Sequence, residues 1–404
     1  ISSMIHKKSG DFQQNLSTLS SFTQEIFSGI RVIKAYAIEG KKQQEFTDLS
    51  NESKVKAMDL AKVNSLFGPL MILLIGLSNL VVVYVGGSMY INNDPEINSI
   101  GVIAQFILYI NMLTWPVASL GWVSSLVQEA EASQKRINEF LKEEPEIKNT
   151  NSSHSTIEGD IKFDNVSFEY DDTNIKALDK ISFEVKKGKT LAVLGKTGSG
   201  KSTLLTLISR LYDTNSGTVF IDNKDIKDLN LFDLRNQISV VPQDAFLFSD
   251  SIKNNIKFGN ENATDEEVME AAKKAVVHDN IMNFNQQYET ILGERGITLS
   301  GGQKQRVSIA RALIKNAPVL LLDDCLSAVD TETEETILNN LLAYCKDKTT
   351  IIVSHRVSSA KNADWIIILE EGKIIEQGTH SQLLEQNGYY KELYLKQLSE
   401  KEID

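Results

Sequence analysis

Eight residues, Gly195-Lys196-Thr197-Gly198-Ser199-Gly200-Lys201-Ser202, carry the strongest chemical signal in the chain. They fit G-x-x-x-x-G-K-[ST], a pattern whose chemistry is the grip on a nucleoside triphosphate. The glycines let backbone N–H groups turn inward around phosphate oxygens. Lys201 is suited to neutralise the β- and γ-phosphates, and Ser202 to ligate Mg2+. The matching partner is Val319-Leu320-Leu321-Leu322-Asp323-Asp324. A buried strand ending in carboxylates presents them where α/β sheets bind ligands. Asp323 is expected to hold Mg2+ through water, with Asp324 next to the attacking water. Alone, an apolar run ending in two aspartates is a weak signal; paired with a phosphate loop it is a strong one.

Such a loop needs a strand before it and a helix after it. Thr190–Leu194 reads as the strand, and the run from Ser202 through Thr203 to Ile208 is helix-competent. The helix N-terminus adds a favourable dipole for anions. Ile161–Tyr170 and Ile181–Val185 also read as strands. Val319–Leu322 and Thr349–Val353 are apolar runs of buried parallel type. From residue 161 onward the pattern is therefore α/β, with an irregular helical stretch at about 265–287.

The remainder of the chain is different in kind. Residues 63–93 and 97–128 contain no Asp, Glu, Lys or Arg. Each exceeds the roughly 20 residues needed to cross a bilayer core. Pro69 and Pro116 lie inside them, which membrane helices tolerate. The short loop Asn92-Asn93-Asp94-Pro95-Glu96 is acidic, whereas the outer flanks carry Lys54, Lys56, Lys62, Lys135 and Arg136. The bias of basic residues puts both flanks in the cytoplasm. Within residues 1–62, Phe22, Ile26, Ile30, Ile33 and Ala37 recur at helical spacing, with breaks expected around Gly29 and Gly40. Residues 142–160 are polar and turn-rich, as a linker would be.

Net charge is −12 over 404 residues, which opposes a nucleic-acid partner. Cys325 and Cys345 lack metal-ligand spacing and read as reduced cytosolic thiols.

Leu299-Ser300-Gly301-Gly302-Gln303 is similar to the signature of ABC transporters, and it continues as Lys304-Gln305-Arg306-Val307-Ser308-Ile309-Ala310-Arg311. Physically, Ser300 and the two glycines open a helix whose free N–H groups form a second anion site. The resemblance implies that two cassettes dimerise head to tail. The signature of one then covers the γ-phosphate held by the other. It also implies that Tyr170 stacks on adenine, although a core strand aromatic remains the alternative. Thr203 joins the nucleotide-binding set. Gln243 senses Mg2+ and the γ-phosphate, His355 is the switch histidine, and Asp330 lies in the loop that crosses the dimer interface.

Gly293-Glu294-Arg295-Gly296 resembles a short motif of exporters, which gives Glu294 a coupling role. Residues 24–36 resemble the second intracellular loop of the same exporters. The implied architecture is an α-helical membrane segment followed by an α/β phosphate-loop NTPase cassette with an antiparallel β subdomain and a helical subdomain. Residues 1–141 form the C-terminal part of a transmembrane domain, with the intracellular loop at about 20–40 and membrane helices at about 63–92 and 97–128. Residues 161–404 form the cassette. Membrane helices one to four are expected to precede Ile1.

The implied activity is Mg2+-dependent ATP hydrolysis coupled to export of a hydrophobic or amphipathic substrate. The chain is one half of a dimer in the cell membrane, with its cassette in the cytoplasm. The second half-transporter can be a different chain or a copy of this one. One position departs from the family. Most active members carry Glu where this chain has Asp324, and a shorter carboxylate predicts a slow site. Two other readings stay open, a soluble ABC ATPase and a regulatory module that binds ATP without turning it over.

Overall fold

The computed structural model describes residues 2–92, 95, 97, 99–293, 299–326 and 331–401. It divides into two units, Ile1–Glu144 and Pro145–Asp404. The first unit is helical: α1 (Ser2–Ser28), α2 (Ile30–Ala35), α3 (Glu39–Ile91) and α4 (Ile100–Lys142). The apolar spans do not begin where helices begin. Helix α3 runs 53 residues through the polar-to-apolar transition, and α4 carries the second span onward into a polar tail. Both are long and apolar enough to cross a bilayer, and no residue in the most apolar window of each is buried by the protein itself. That is the surface lipid would cover. Along the polar stretch of α3, Lys8 pairs with Asp59 at 3.0 Å, and the buried Asn15 accepts from Ser53.

The break expected at Gly29 is present, since Gly29 caps α2. The one expected at Gly40 falls earlier. The chain turns through Tyr36-Ala37-Ile38, with Ala37 at φ +50°, and Gly40 lies inside the first turn of α3. Charge explains the shift. Glu39 opens α3, where a carboxylate complements the helix dipole, and it reaches back to Lys34 at 2.9 Å.

The second unit holds two sheets. Strands β1 (Ile161–Tyr170), β2 (Ile175–Val185), β4 (Ser216–Ile221) and β5 (Lys224–Asp225) form an antiparallel sheet in the order β2-β1-β4-β5. Between them in sequence come β3 (Thr190–Gly195) and α5 (Lys201–Ile208). Then follow α6 (Leu231–Asn236), β6 (Ile238–Val241), α7 (Ile252–Lys257), α8 (Asp265–Lys274), α9 (His278–Met282) and α10 (Gly301–Ile314). The chain continues as β7 (Val319–Asp323), α11 (Thr331–Tyr344), β8 (Thr349–Val353) and α12 (Val357–Ala360). It closes with β9 (Trp365–Glu370), β10 (Lys373–Gly378), α13 (His380–Glu385) and α14 (Tyr389–Lys401). The second sheet has the order β10-β9-β3-β8-β7-β6, and all its neighbours are parallel except β10 with β9.

Three apolar clusters organise this unit. One buries β1, β2 and α5 against one side of the mixed sheet. A second gathers α7 to α11 around Leu320, Leu322 and Ile352. A third joins Ala192, Leu194, Val357 and Ile368 to Tyr390 of α14. The polar stretch before β1 is tied down. The Asn149 side chain accepts from Leu231 N at 3.0 Å, and the Asn151 amide donates to Asp228 O at 2.8 Å.

Candidate functional site

Four adjacent parallel strands, β3, β8, β7 and β6, end at the same edge of the mixed sheet. The phosphate loop follows β3, His355 follows β8, Asp323 and Asp324 end β7, and Gln243 follows β6. The topology thus delivers residues separated by up to 160 positions to one place, the carboxyl edge where open α/β sheets bind ligands.

The loop itself demands glycine. Gly198 and Gly200 adopt φ +80° and +97°, a region that side-chain-bearing residues rarely enter. A Cβ on Gly200 would lie 2.2 Å from the Ala177 carbonyl, whereas one on Gly198 would meet open space. Gly200→Ala is therefore expected to destabilise the cassette by at least about 2 kcal/mol, read as a fall in Tm, because strain and clash add. Gly198→Ala is expected to cost less, since it carries the backbone strain without the clash.

Lys201 folds back into the loop and donates to Gly195 O and Lys196 O, both at 2.8 Å. Burial holds its pKa below the usual lysine range, against the opposing charges of Asp324 and Asp323. Ser202 Oγ donates to Asp323 Oδ1 at 3.0 Å, so the two oxygens suited to Mg2+ already face each other. Burial raises the Asp323 carboxyl, opposed by that hydrogen bond. Burial also raises Asp324, opposed by the charge and main-chain N–H of His355 and then by Lys201 and Arg356. Asp324 sits at φ +41°, a left-handed conformation that Asp tolerates better than most residues, and its own N–H donates to Val353 O at 2.9 Å.

ATP and Mg2+ fit these groups. The buried Ser199 Oγ in the loop has no hydrogen-bond partner, as a group meant for an incoming anion would not. No cluster of three or more His, Cys, Asp or Glu that could hold a metal ion occurs among the described residues. A serine hydroxyl and one carboxylate suit Mg2+, which keeps waters and shares phosphate oxygens.

Tyr170 ends β1 half-buried, with its hydroxyl 3.1 Å from Thr203 Oγ1. Its ring meets Phe168 and Tyr212 edge-on. Gln243 is exposed, and its carbonyl accepts from Gln305 Nε2 of α10 at 3.3 Å. Arg311 of the same helix fixes the following loop through Phe246 O and Asn255 O at 2.9 and 2.8 Å. Sequence reasoning missed this pair of ties, since only the fold reveals which carbonyls a helix residue meets.

Ser300 caps α10 by a reciprocal capping box. Gln303 N donates to Ser300 Oγ at 3.3 Å, and Ser300 N donates to Gln303 Oε1 at 3.0 Å. The expectation of free N–H groups is therefore narrowed. Gln303 spends its amide on the cap, which leaves those of Gly301 and Gly302 at the helix mouth. The spacing Ser-x-x-Gln was the available signal. Leu299 is buried in the second apolar cluster. Asp330 and Glu294 lie outside the described residues, as do Arg295, Gly296, Asn93, Asp94 and Glu96.

Comparison with known proteins bears on the family and the fold. Residues 178–327 match the ABC transporter family, and residues 1–117 match the ABC transporter transmembrane region. The chain is 37% identical over 400 residues to the multidrug resistance-like ATP-binding protein MdlA of Escherichia coli, covering 99% of this chain and 67% of that protein. It is 36% identical to the ATP-dependent lipid A-core flippase of Syntrophus aciditrophicus, covering 97% of this chain and 65% of the relative. Among solved structures, a bacterial Atm1-family ABC exporter with ATP bound is similar with a TM-score of 0.88 at 30% identity, covering 98% of this chain and 70% of that one. With a membrane region fused ahead of its cassette, the chain belongs to the ABC transporter family and is of the exporter type.

Proposed function

We propose that this chain supplies a dimeric exporter with one ATP site that binds nucleotide better than it hydrolyses it. The chain is a multi-pass protein of the cell membrane with its cassette in the cytoplasm, and it drives export with ATP. The observation that carries the proposal is Asp324, a short carboxylate in a family position that commonly holds Glu, beside a phosphate loop that is otherwise complete.

In this reading the loop amides, Lys201 and Thr203 bind the triphosphate, and Tyr170 offers a ring face to adenine. Ser202, Asp323 and Gln243 would hold Mg2+. Bound Mg2+ would neutralise charge on the phosphoryl oxygens. Asp324 orients the attacking water and takes its proton, and His355 donates toward the γ-phosphate. Ser300, Gly301 and Gly302 act on the nucleotide of the other cassette, with Gln303 holding their turn in shape and Leu299 anchoring it. Asp330 crosses the dimer interface and Glu294 serves coupling. Catalysis is positioning and charge stabilisation, as in other phosphoryl transfers.

Asp324 also favours a different half-transporter as partner, one whose own site supplies the longer carboxylate. The names of the relatives, multidrug resistance-like proteins and a lipid A-core flippase, support a hydrophobic or amphipathic substrate. The test is ATP turnover by the purified full-length chain alone and with a partner. Low activity alone and high activity with the partner is expected. Robust activity alone that Asp324→Asn abolishes would defeat the slow-site reading.

A further inference from the structure

We propose that Gln397, in the C-terminal helix α14, is a positioning residue that sets His355 at the nucleotide edge. The inference rests on His355 acting there. One side-chain amide grips the segment after β8 at two main-chain points. Gln397 Nε2 donates to His355 O at 3.0 Å, and its Oε1 accepts from Val357 N at 2.8 Å. The two bonds bracket Arg356, so three consecutive residues are fixed by one group. This stretch runs from the end of β8 to Val357, the first residue of the four-residue α12; Ser354 N donates to Val193 O of β3 at 3.1 Å and Arg356 N to Ser354 Oγ at 3.0 Å, and neither bond takes up the His355 carbonyl.

The same segment is also held from α11. Glu334, almost fully buried, accepts from Arg356, from Ser358 Oγ at 3.1 Å and from Ser359 Oγ at 3.3 Å. Those bonds act through side chains beyond His355. The grip of Gln397 acts on the His355 carbonyl, while the His355 N–H faces the Asp324 carboxylate, so Gln397 helps set where the imidazole starts from.

A clamp is only as good as its mounting, and α14 is firmly mounted. Its first two amides, of Tyr389 and Tyr390, donate to the Glu376 carboxylate of β10. Tyr390 is fully buried, with its hydroxyl 2.6 Å from His380 Nδ1. It packs in one cluster with Val357, Ala360 and Leu194. At the same end, the Tyr389 ring centre lies 5.7 Å from Lys196 Nζ of the phosphate loop, and Lys196 is paired with Glu370 at 2.7 Å. Eight residues separate Tyr389 from Gln397, about 12 Å of helix. One short rigid rod thus touches the phosphate loop with its first turn and the His355 segment with its third. The separation between the two is set by the length of α14.

The test uses the full-length chain assembled in lipid with its partner, whose own hydrolytic carboxylate is replaced so that turnover reads this chain's phosphate loop. It compares single-turnover ATP hydrolysis, ATP affinity and Tm for His355→Ala, Gln397→Ala, Gln397→Met and the double variant His355→Ala/Gln397→Met. Methionine keeps the length and packing of the side chain and removes both hydrogen bonds, so it carries the test if the alanine variant folds poorly. Gln397→Met is expected to slow hydrolysis about tenfold, as small displacements of a reacting group do. ATP affinity should stay within about twofold, and the double variant should be no slower than His355→Ala. A Gln397→Met rate equal to wild type overturns the clamp, and so does a double variant whose losses multiply. If His355→Ala itself leaves the rate unchanged, the role of His355 falls and the clamp falls with it. If His355→Ala is slow and Gln397→Met is not, the clamp alone falls.

Discussion

Replacing Asp324 with Glu is expected to raise ATP hydrolysis at this chain's own phosphate loop by at least about tenfold. General-base assistance contributes about 10²–10⁴-fold and depends on heavy atoms within about 2.6–3.2 Å of the proton transferred. One added methylene advances the carboxylate by about 1.5 Å. The charges around it are already suitable. Burial raises the Asp324 carboxyl, which makes it a stronger base, while His355 and Lys201 keep its anion supported. The substitution has a cost, because φ +41° suits Asp better than Glu, and a small loss in Tm is expected alongside the gain in rate. The measurement is single-turnover hydrolysis in the full-length dimer, with ATP affinity as control. An unchanged rate at full ATP occupancy would mean that reach does not limit this site.

Lys201→Ala is expected to cut ATP affinity and turnover at the same site by about 100-fold or more, with no loss of stability in the absence of nucleotide. Charge-assisted contacts to phosphate are the strong ones, and aimed at developing charge they contribute several kcal/mol. The stability half of the prediction follows from the lysine's own surroundings. Burial disfavours its ammonium, and its present acceptors are two loop carbonyls. Removing it relieves a desolvated charge while giving up two hydrogen bonds, so the two effects offset. Nucleotide titration and a thermal melt without ATP decide the point. A melt lowered by more than a few degrees would show that Lys201 holds the loop together as well as the phosphate.

The cassette was legible where local chemistry and burial coincide. The expected strand Thr349–Val353 is β8, because a strand buried on both faces writes itself as an apolar run. Ile161–Tyr170 is β1, whose residues alternate in burial for most of its length. The membrane helices were legible as apolar spans, but the ends of the helices that carry them were not. Hydropathy reports what surrounds a side chain, so it marked residue 63, where the surroundings change, and passed over Glu39, where the backbone begins to coil. The turn at Ala37 hid for a related reason. Alanine at positive φ leaves no mark in composition, whereas Gly40 attracts attention and sits in ordinary helix.

At the candidate site, the phosphate loop was legible from spacing and its strand–helix context, and Gln243, His355 and Tyr170 only through resemblance. The side chains that tie these segments together from elsewhere in the fold were not legible. Gln305 reaches Gln243 across 62 positions, and Gln397 reaches His355 across 42. A glutamine in a helix carries no local sign of the carbonyl it will meet. Gln303 stands between these cases, since its cap to Ser300 is local and has a spacing that announces it.

The length of α3 has a mechanical consequence. Fifty-three residues make a rod of about 80 Å, and the ratio of the two stretches on either side of Pro69 is fixed by sequence. A helix of that length is a lever arm. Tilting it by about 10° about one end carries the other end through about 14 Å, far more than any single side chain can travel. Pro69 leaves one backbone bond unmade along the arm and is its point of compliance. A small displacement close to the pivot can therefore be delivered as a displacement of more than a nanometre at the far end.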